Sequence, residues 1–293
     1  MDIETLRDWV NQRDSFSILE TADVFTGERK VLKEFDFVVE APNWTRDGRN
    51  LVFNSKGRIF TYQLASGVVT EIESGFAVDC NNDHVLSPDN KEIALSHHSH
   101  GDAQSRIYIL PLAGGEPRLV TEKGPSYLHG WSPDGKTLAY CAERGGQYDI
   151  YTISVNGGLE RQLTDLPGLD DGPEYSPTGE HIWFNSTRTG LMQVWRMRTD
   201  GSNPEHMVQE EANDWFPHVS PDGKWVVYIA YAKGDVDPGD HPANKNVELR
   251  LIPAEGGESK TIAKLFGGQG TINVNSWSPD NRTIAFVSYR LKE

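Results

Sequence analysis

Histidine and aspartate side chains gather in a few irregular stretches of this sequence, where they are suited to metal binding or to proton transfer. His98 and His100 lie in one stretch, His218 in a second, and Asp240 and His241 in a third. Carboxylate and imidazole groups can hold Ca²⁺ or a transition metal, and imidazole also acts as an acid or base near neutral pH. These five residues are therefore candidate metal ligands, although the acidic stretch lacks the spacing of an EF-hand loop.

A second group of residues could hold a ligand or a partner without any reaction. Trp215, Phe216 and His218 begin a predicted strand, which would place a flat apolar surface beside an imidazole. The complete set of candidate binding residues is Trp215, Phe216, His218, His129, Glu174, Arg188 and Gln269. Gln269 lies among glycines that allow either a close approach to a ligand or a tight structural crossing. A protein-binding role requires an exposed apolar surface at Trp215 and Phe216.

The elements that must position these residues follow from a short repeated signature. The cleanest copy is Trp-Ser-Pro-Asp-Gly-Lys at residues 131–136, with close copies from residues 175, 219 and 277 and degenerate ones from residues 44 and 86. Successive copies lie 42, 45, 44, 44 and 58 residues apart, which is the period of a four-stranded propeller blade. The repeat therefore predicts six blades.

Each copy predicts antiparallel strands joined by tight turns. Pro-Asp-Gly supplies the turn before an apolar run such as residues 138–140, and a second hairpin with a Gly turn follows in the first five repeats. After the sixth copy there is sequence for only one strand, whereas residues 16–32 form an additional hairpin before the first copy. We therefore expect an all-β, six-bladed β-propeller with four antiparallel strands per blade, its last blade closed by the N-terminal hairpin.

This topology assigns the candidate residues to one face of the ring. The loop that enters the first strand of a blade and the loop between its second and third strands both lie at this face, around the mouth of the central channel. An insertion at residues 231–245 lengthens the second of these loops and contains Asp240 and His241. We expect the insertion to cap the channel mouth or to contact a partner.

Composition narrows the range of partners. The net charge is −15 and there is no basic run, which argues against nucleic acid and anionic membranes as partners. No apolar run has membrane-spanning length, so membrane insertion is not expected. Cys80 and Cys141 lie in different repeats and are interpreted as plain buried thiols.

The repeat predicts one propeller domain at residues 15–293, preceded by a short helix or extension at residues 1–14. Ile3, Leu6 and Val10 have helical spacing in that segment. The first residues have neither the basic start nor the apolar core of a signal peptide. We therefore expect a cytoplasmic protein, or a periplasmic one if a leader was removed.

The signature, followed by an Ile-Ala-Phe-like strand and an Ile-Tyr strand, resembles the propeller repeat of the bacterial TolB family over residues 16–290. Propeller domains of tricorn-type and prolyl-oligopeptidase-type proteases carry a similar repeat. The resemblance implies a TolB-like propeller that lacks the N-terminal domain of TolB. No Gly-x-Ser-x-Gly nucleophile elbow is present, so a serine peptidase is not expected.

Two functions remain open from the sequence. The first is a non-catalytic scaffold that binds a protein or peptide over the channel-mouth face. The second is a metal-assisted lyase or hydrolase for oligosaccharides, since some propeller lyases that cleave oligogalacturonides hold a metal with histidines on such a face. The enzyme needs at least three of the candidate ligands to converge, whereas the scaffold needs an exposed apolar patch.

Overall fold

The structure is a computed structural model that describes residues 15–292, all of them in strands, turns and loops. Its sheets form a six-bladed β-propeller, as the repeat predicts. The helix or extension expected at residues 1–14 lies outside the described residues. Within the described range there is no helix long and apolar enough to cross a membrane.

The described residues begin with two strands that belong to the last blade, and five regular four-stranded blades follow. The strands are β1 (Ser15–Asp23), β2 (Arg29–Phe35); blade 1, β3 (Glu40–Trp44), β4 (Asn50–Ser55), β5 (Arg58–Gln63), β6 (Val69–Glu71); blade 2, β7 (Cys80–Leu86), β8 (Glu92–His98), β9 (Ser105–Pro111), β10 (Arg118–Leu119); blade 3, β11 (Ser126–Trp131), β12 (Thr137–Arg144), β13 (Gln147–Ser154), β14 (Arg161–Gln162); blade 4, β15 (Asp170–Tyr175), β16 (His181–Ser186), β17 (Gln193–Arg198), β18 (Glu205–His206); blade 5, β19 (Ala212–Val219), β20 (Trp225–Ala232), β21 (Lys245–Pro253), β22 (Lys260–Gly267); and β23 (Thr283–Leu291).

The sixth blade closes the ring in the predicted way but with one irregular position. Its sheet has the strand order β2-β1-β23, so the N-terminal hairpin completes it from the outside. The innermost position is occupied by residues 271–277, which are held on β23 by the bridge between Trp277 and Ile284 and by a 2.8 Å hydrogen bond from Ala285 N to Ser276 O. This irregular segment brings Asn273 to the channel, and Gln269 lies just before it in the sequence.

The repeated signature builds the turn between the first two strands of each blade. In blade 3, Ser132 Oγ donates to Asp134 Oδ1 at 2.6 Å, and Thr137 N donates back to Ser132 Oγ at 2.9 Å. Gly135 takes a φ of +74°, which a residue with a side chain rarely adopts. The Trp131 side chain before the turn is buried in the blade core. The residues of the signature therefore stabilise the blade and do not form a binding site.

A β-bulge interrupts every regular inner strand where it faces the channel. The register shifts fall between Glu40 and Asn43, Cys80 and His84, Leu128 and Gly130, Asp171 and Glu174, and Trp215 and His218. Three bulges contain a residue with positive φ followed by Pro: Ala41, Gly172 and Phe216. A bulge breaks the alternation of a strand and re-aims its side chains. The bulges of blades 2, 3 and 4 contribute Asn81, Asn82, Asp83, His129 and Asp171 to the cavity described below.

Candidate functional site

The inner strands surround a cavity of about 480 Å³ at the channel mouth. Blades 2 to 6 all contribute to it, on the face that the sequence assigned to the irregular loops. Its lining residues are Asn81, Asn82, Asp83, Tyr127, His129, Cys141, Tyr148, Leu169, Asp171, Phe216, Gly239, His241, Gln269 and Asn273. A mixed lining of carboxylates, amides and aromatic rings in a cavity of this size is typical of a binding site.

An imidazole between two carboxylates forms the charged centre of the cavity. His129 Nε2 lies 3.2 Å from Asp171 Oδ1 and 3.9 Å from Asp83 Oδ1. Burial alone would lower the pKa of His129, but the carboxylates of Asp171 and Asp83 raise it above its usual range. Burial opposes ionisation of Asp171 as well, yet His129 holds the pKa of that carboxyl below its usual range. Both shifts favour an ion pair between a protonated His129 and an ionised Asp171.

Asp83 has a different environment from Asp171, because burial raises its pKa and the neighbouring Asp171 adds to the effect. Its oxygens are held by amides: Asn273 Nδ2 donates to Asp83 Oδ1 at 2.6 Å, and Asn81 Nδ2 donates to Asp83 Oδ2 at 2.6 Å. Asn273 Nδ2 also lies 3.2 Å from Asn82 Oδ1. Blade 6 is thereby joined to blade 2 across the channel.

Aromatic rings form the opposite wall. The Phe216 ring stacks on the His129 ring with a centroid distance of 5.7 Å, and the His241 ring meets Phe216 and Trp215 edge-on at 5.2 and 4.3 Å. Trp215 and Phe216 are only 0% and 2% exposed. The expected exposed apolar surface at these two residues is therefore absent: His241 covers Trp215, and Phe216 reaches only the cavity.

The insertion, residues 233–244 between β20 and β21, packs against the glycine-rich segment that follows β22. A side chain at Gly268 would collide with the carbonyl oxygen of Pro242, and Gly268 has a φ of +128°. Tyr231 Oη donates to the same carbonyl at 3.1 Å. The sequence left two roles for these glycines, a close approach to a ligand or a tight structural crossing. In the structure, Gly268 forms the tight crossing. The crossing positions His241 over the cavity.

The comparisons with known proteins agree with this architecture. The sequence model described as the TolB beta propeller domain matches residues 87–263. The chain belongs to the TolB β-propeller family. It is 45% identical over 274 residues to an uncharacterised protein of Agrobacterium fabrum, covering 93% of this chain and 92% of that relative. A solved structure from Agrobacterium tumefaciens, provisionally assigned to TolB, superposes with a TM-score of 0.90 at 44% identity, covering 94% of this chain and 99% of that one.

Curated TolB proteins are longer than the matched region. The Tol-Pal system protein TolB of Francisella tularensis is 28% identical over 259 residues, which is 86% of this chain but 57% of that relative. This TolB-family chain thus spans little more than half the length of the curated TolB proteins it matches. The shared part is the propeller.

Two residues predicted for binding form a separate network in this TolB-family propeller. His218 Nδ1 lies 2.7 Å from Glu174 Oε2, and His218 Nε2 contacts the Ile272 carbonyl. Val219 N and Asn275 Nδ2 donate to Glu174 Oε1 at 2.8 and 2.7 Å. Neither His218 nor Glu174 lines the cavity. Their contacts link blades 4, 5 and 6 and leave both ring nitrogens of His218 occupied.

The other predicted residues have separate surroundings. Arg188 pairs with Asp170 at 2.8 Å, whereas His129 and Gln269 line the cavity as binding residues should. His98 lies beside the Asp79 carbonyl at 3.3 Å, and the His100 ring lies 5.8 Å from that of His97. Asp240 is exposed, and the adjacent His241 is half-buried. Among residues 15–292, no three His, Cys, Asp or Glu side chains are grouped to hold a metal ion.

Sequence reasoning missed the two carboxylates and their amide and phenol neighbours. A usable signal was present, because the repeats can be aligned on the Ser of the signature. Asn82, Tyr127, Asp171 and Asn273 then occupy the same position, five residues before Ser87, Ser132, Ser176 and Ser278, and all four line the cavity. Asp83 comes one residue later, inside the bulge of its strand.

Proposed function

We propose that this chain is a binding scaffold that holds a segment of a protein or peptide partner in the channel-mouth cavity. The observation that carries the proposal is the cavity itself, with a volume of about 480 Å³ and walls supplied by five blades. Membership of a family whose curated relatives are named for the Tol-Pal system is consistent with a role among other proteins. The binding surface is the concave cavity, because Trp215 and Phe216 offer no exposed patch.

Pre-organisation of the polar lining supports binding. Asp83 is held between Asn81 and Asn273, and His129 between Asp171 and Phe216, before any ligand arrives. Side chains already fixed by their neighbours lose little further freedom when a ligand binds. A partner segment would therefore meet donors and acceptors in place.

Covalent catalysis by a thiol finds no support. Burial raises the pKa of Cys80 to about 12, and burial together with the nearby carboxylate of Asp171 raises the pKa of Cys141 well above its usual range. The thiolate, rather than the thiol, is the nucleophile. Both cysteines are therefore protonated at neutral pH.

The alternative of a metal-assisted lyase needs three convergent ligands from the set His98, His100, His218, Asp240 and His241. His218 already contacts Glu174 and Ile272 through its ring nitrogens, and His241 is packed against Trp215. The part of the chain that the structure describes holds no group of three such side chains placed for a metal. We retain the scaffold as the proposal for this reason.

Blocking the cavity tests the scaffold. Gly239 lines it without a positive φ, and a side chain there would meet only Leu169 at 3.9 Å. Gly239→Trp should fill the mouth and leave the fold intact. A displayed library of random peptides is selected on the wild type and then on this variant. We expect the wild type to enrich a peptide family that binds Gly239→Trp at least about tenfold more weakly.

The matched control is Asp237→Trp, which adds the same ring to the same loop at an exposed position outside the cavity lining. Peptides selected on the wild type should bind this variant unchanged. Enrichment of no peptide family, or equal binding to Gly239→Trp, would contradict the proposed scaffold.

A further inference from the structure

In the described part of the chain, the two carboxylates of the cavity have no Lys or Arg partner of the kind that pairs with the neighbouring Asp170. Asp170 is paired with Arg188 at 2.8 Å, but within residues 15–292 neither Asp83 nor Asp171 contacts a Lys or an Arg. His129 lies within 4 Å of both carboxylates, and Asp171 also interacts with the His241 imidazole and the Cys141 thiol. Two carboxylates share one imidazole, and no Lys or Arg belongs to the lining. The cavity can therefore accept a positive charge.

Asn82 supplies an independent sign of a ligand. Its side chain lines the cavity and is only 4% exposed. Asn82 Oδ1 accepts a hydrogen bond from Asn273, yet among the described residues Asn82 Nδ2 makes none. Nδ2 is not one of the completely buried unpaired side-chain atoms, so it is accessible from the cavity and can donate to a ligand there. A ligand carbonyl would provide the acceptor.

Aromatic groups around the carboxylates suit an organic cation. The Tyr127 and Tyr148 rings line the cavity with their centroids 6.4 Å apart, and Phe216 forms another part of the wall. Burial raises the pKa of Tyr127, so this phenol remains neutral at physiological pH. Neutral aromatic faces attract ammonium and guanidinium groups.

A bare metal ion fits this lining less well. His129 lies between the two carboxylates, so Asp83 and Asp171 do not converge on one point as metal ligands must. No three-ligand group for a metal exists among the residues described. An organic cation does not require its partners to meet at one point. Its several N–H groups can donate to carboxylates that lie apart from each other.

We propose that the cavity receives a basic residue of the partner, an Arg or a Lys, whose cationic group is bound by Asp83 and Asp171 and whose backbone carbonyl accepts a hydrogen bond from Asn82. This inference rests on the proposed scaffold and names the part of the partner that the cavity recognises. Specificity comes from charge at one end of the residue and from the amide donor at the other.

Two small probes test the inference in solution. Acetyl-argininamide carries the guanidinium and a backbone carbonyl, whereas acetyl-citrullinamide replaces the guanidinium with a neutral urea of nearly the same shape. Calorimetric titration of the full chain should show at least about tenfold tighter binding of the arginine probe. Asp83→Asn and Asp171→Asn should each remove most of this difference. Asn82→Ala should weaken both probes by a similar factor, because both carry the carbonyl.

Each contrary result has a definite meaning. Equal binding of the two probes to the wild type, or no binding of either, would overturn the inference without any variant having to fold. So would Ca²⁺ that binds the cavity while the arginine probe does not. If the selected peptides bound the wild type without needing an Arg or a Lys, the scaffold would be supported and this inference would be rejected. Arginine binding without any selected peptide would reject the scaffold alone.

Discussion

At the scale of single residues, His84 and His129 show how position sets the charge of an imidazole. Both lie on inner strands of adjacent blades. His129 faces two carboxylates, which raise its pKa. Burial lowers the pKa of His84 to about 4, and contacts with the backbone of Val52 and Ala41 offset only part of this effect. His84 is therefore a neutral core residue at pH 7, whereas the surroundings of His129 favour its protonated form.

The buried His84 should make stability depend on pH. The folded chain takes up this proton only near pH 4, whereas the unfolded chain takes it up near pH 6.5. The neutral His84 therefore contributes about 3 kcal/mol to the free energy of unfolding above pH 6.5. This contribution is lost as the pH falls from 6.5 to 4. Urea unfolding of the wild type and His84→Gln at pH 7 and pH 4.5 measures it.

The variant should lose less stability than the wild type between the two pH values. His84 is the one ionisable side chain that differs between the two proteins, so the difference between the two losses measures its contribution. Equal losses would show that this imidazole is not the buried neutral group described here.

At the scale of elements, the sequence predicted the strands and turns but not the bulges. Turn residues and apolar alternation are local signals, and they located the blades, the channel-mouth face and the insertion. A bulge depends on how two strands pair, so neighbouring residues alone do not reveal it. Asp83 and Asp171 were missed because an acidic residue in a strand otherwise looks like a solvent-facing position. The burial of Trp215 was not predicted either, because the His241 ring that covers it comes from a loop distant in sequence.

The crossing of the insertion over the glycine-rich segment can be tested at Gly268. Gly268→Ala should lower the free energy of unfolding and increase amide exchange in residues 233–244, because its Cβ collides with Pro242 O and its φ is +128°. Gly101→Ala is the control, since Gly101 has a φ of +108° but no atom within 4 Å of its Cβ. A loss of roughly 1 kcal/mol is expected for the control from backbone strain alone. If both variants lost the same stability, the loop crossing would not matter.

At the scale of the whole molecule, one strand holds the ring closed. Strand β1 pairs with β23 over nine residues and with β2 on its other side, so it joins the two ends of the chain in one sheet. Glu20 strengthens this junction through Arg29 at 2.6 Å and Ser288 at 2.5 Å. The hairpin closure was predictable because the repeat count left one incomplete blade and one additional hairpin. The irregular inner segment of that blade was not, because it is held on β23 by a few isolated contacts rather than by a regular ladder.

A proline in the middle of β1 should therefore destabilise the entire ring. Thr21 is buried and lies opposite both Ala285 and Lys30, so Thr21→Pro disturbs pairing on both sides of the strand. We expect a loss of roughly 2–4 kcal/mol of unfolding free energy, measured by urea titration with tryptophan fluorescence and far-ultraviolet circular dichroism. The control is Thr70→Pro in β6, a short outer strand that pairs on one side only. Because every blade depends on the closed ring, both probes should shift together in the β1 variant. A fluorescence transition that stayed in place while the dichroism moved would mean that the blades unfold independently and that closure stabilises only the sixth.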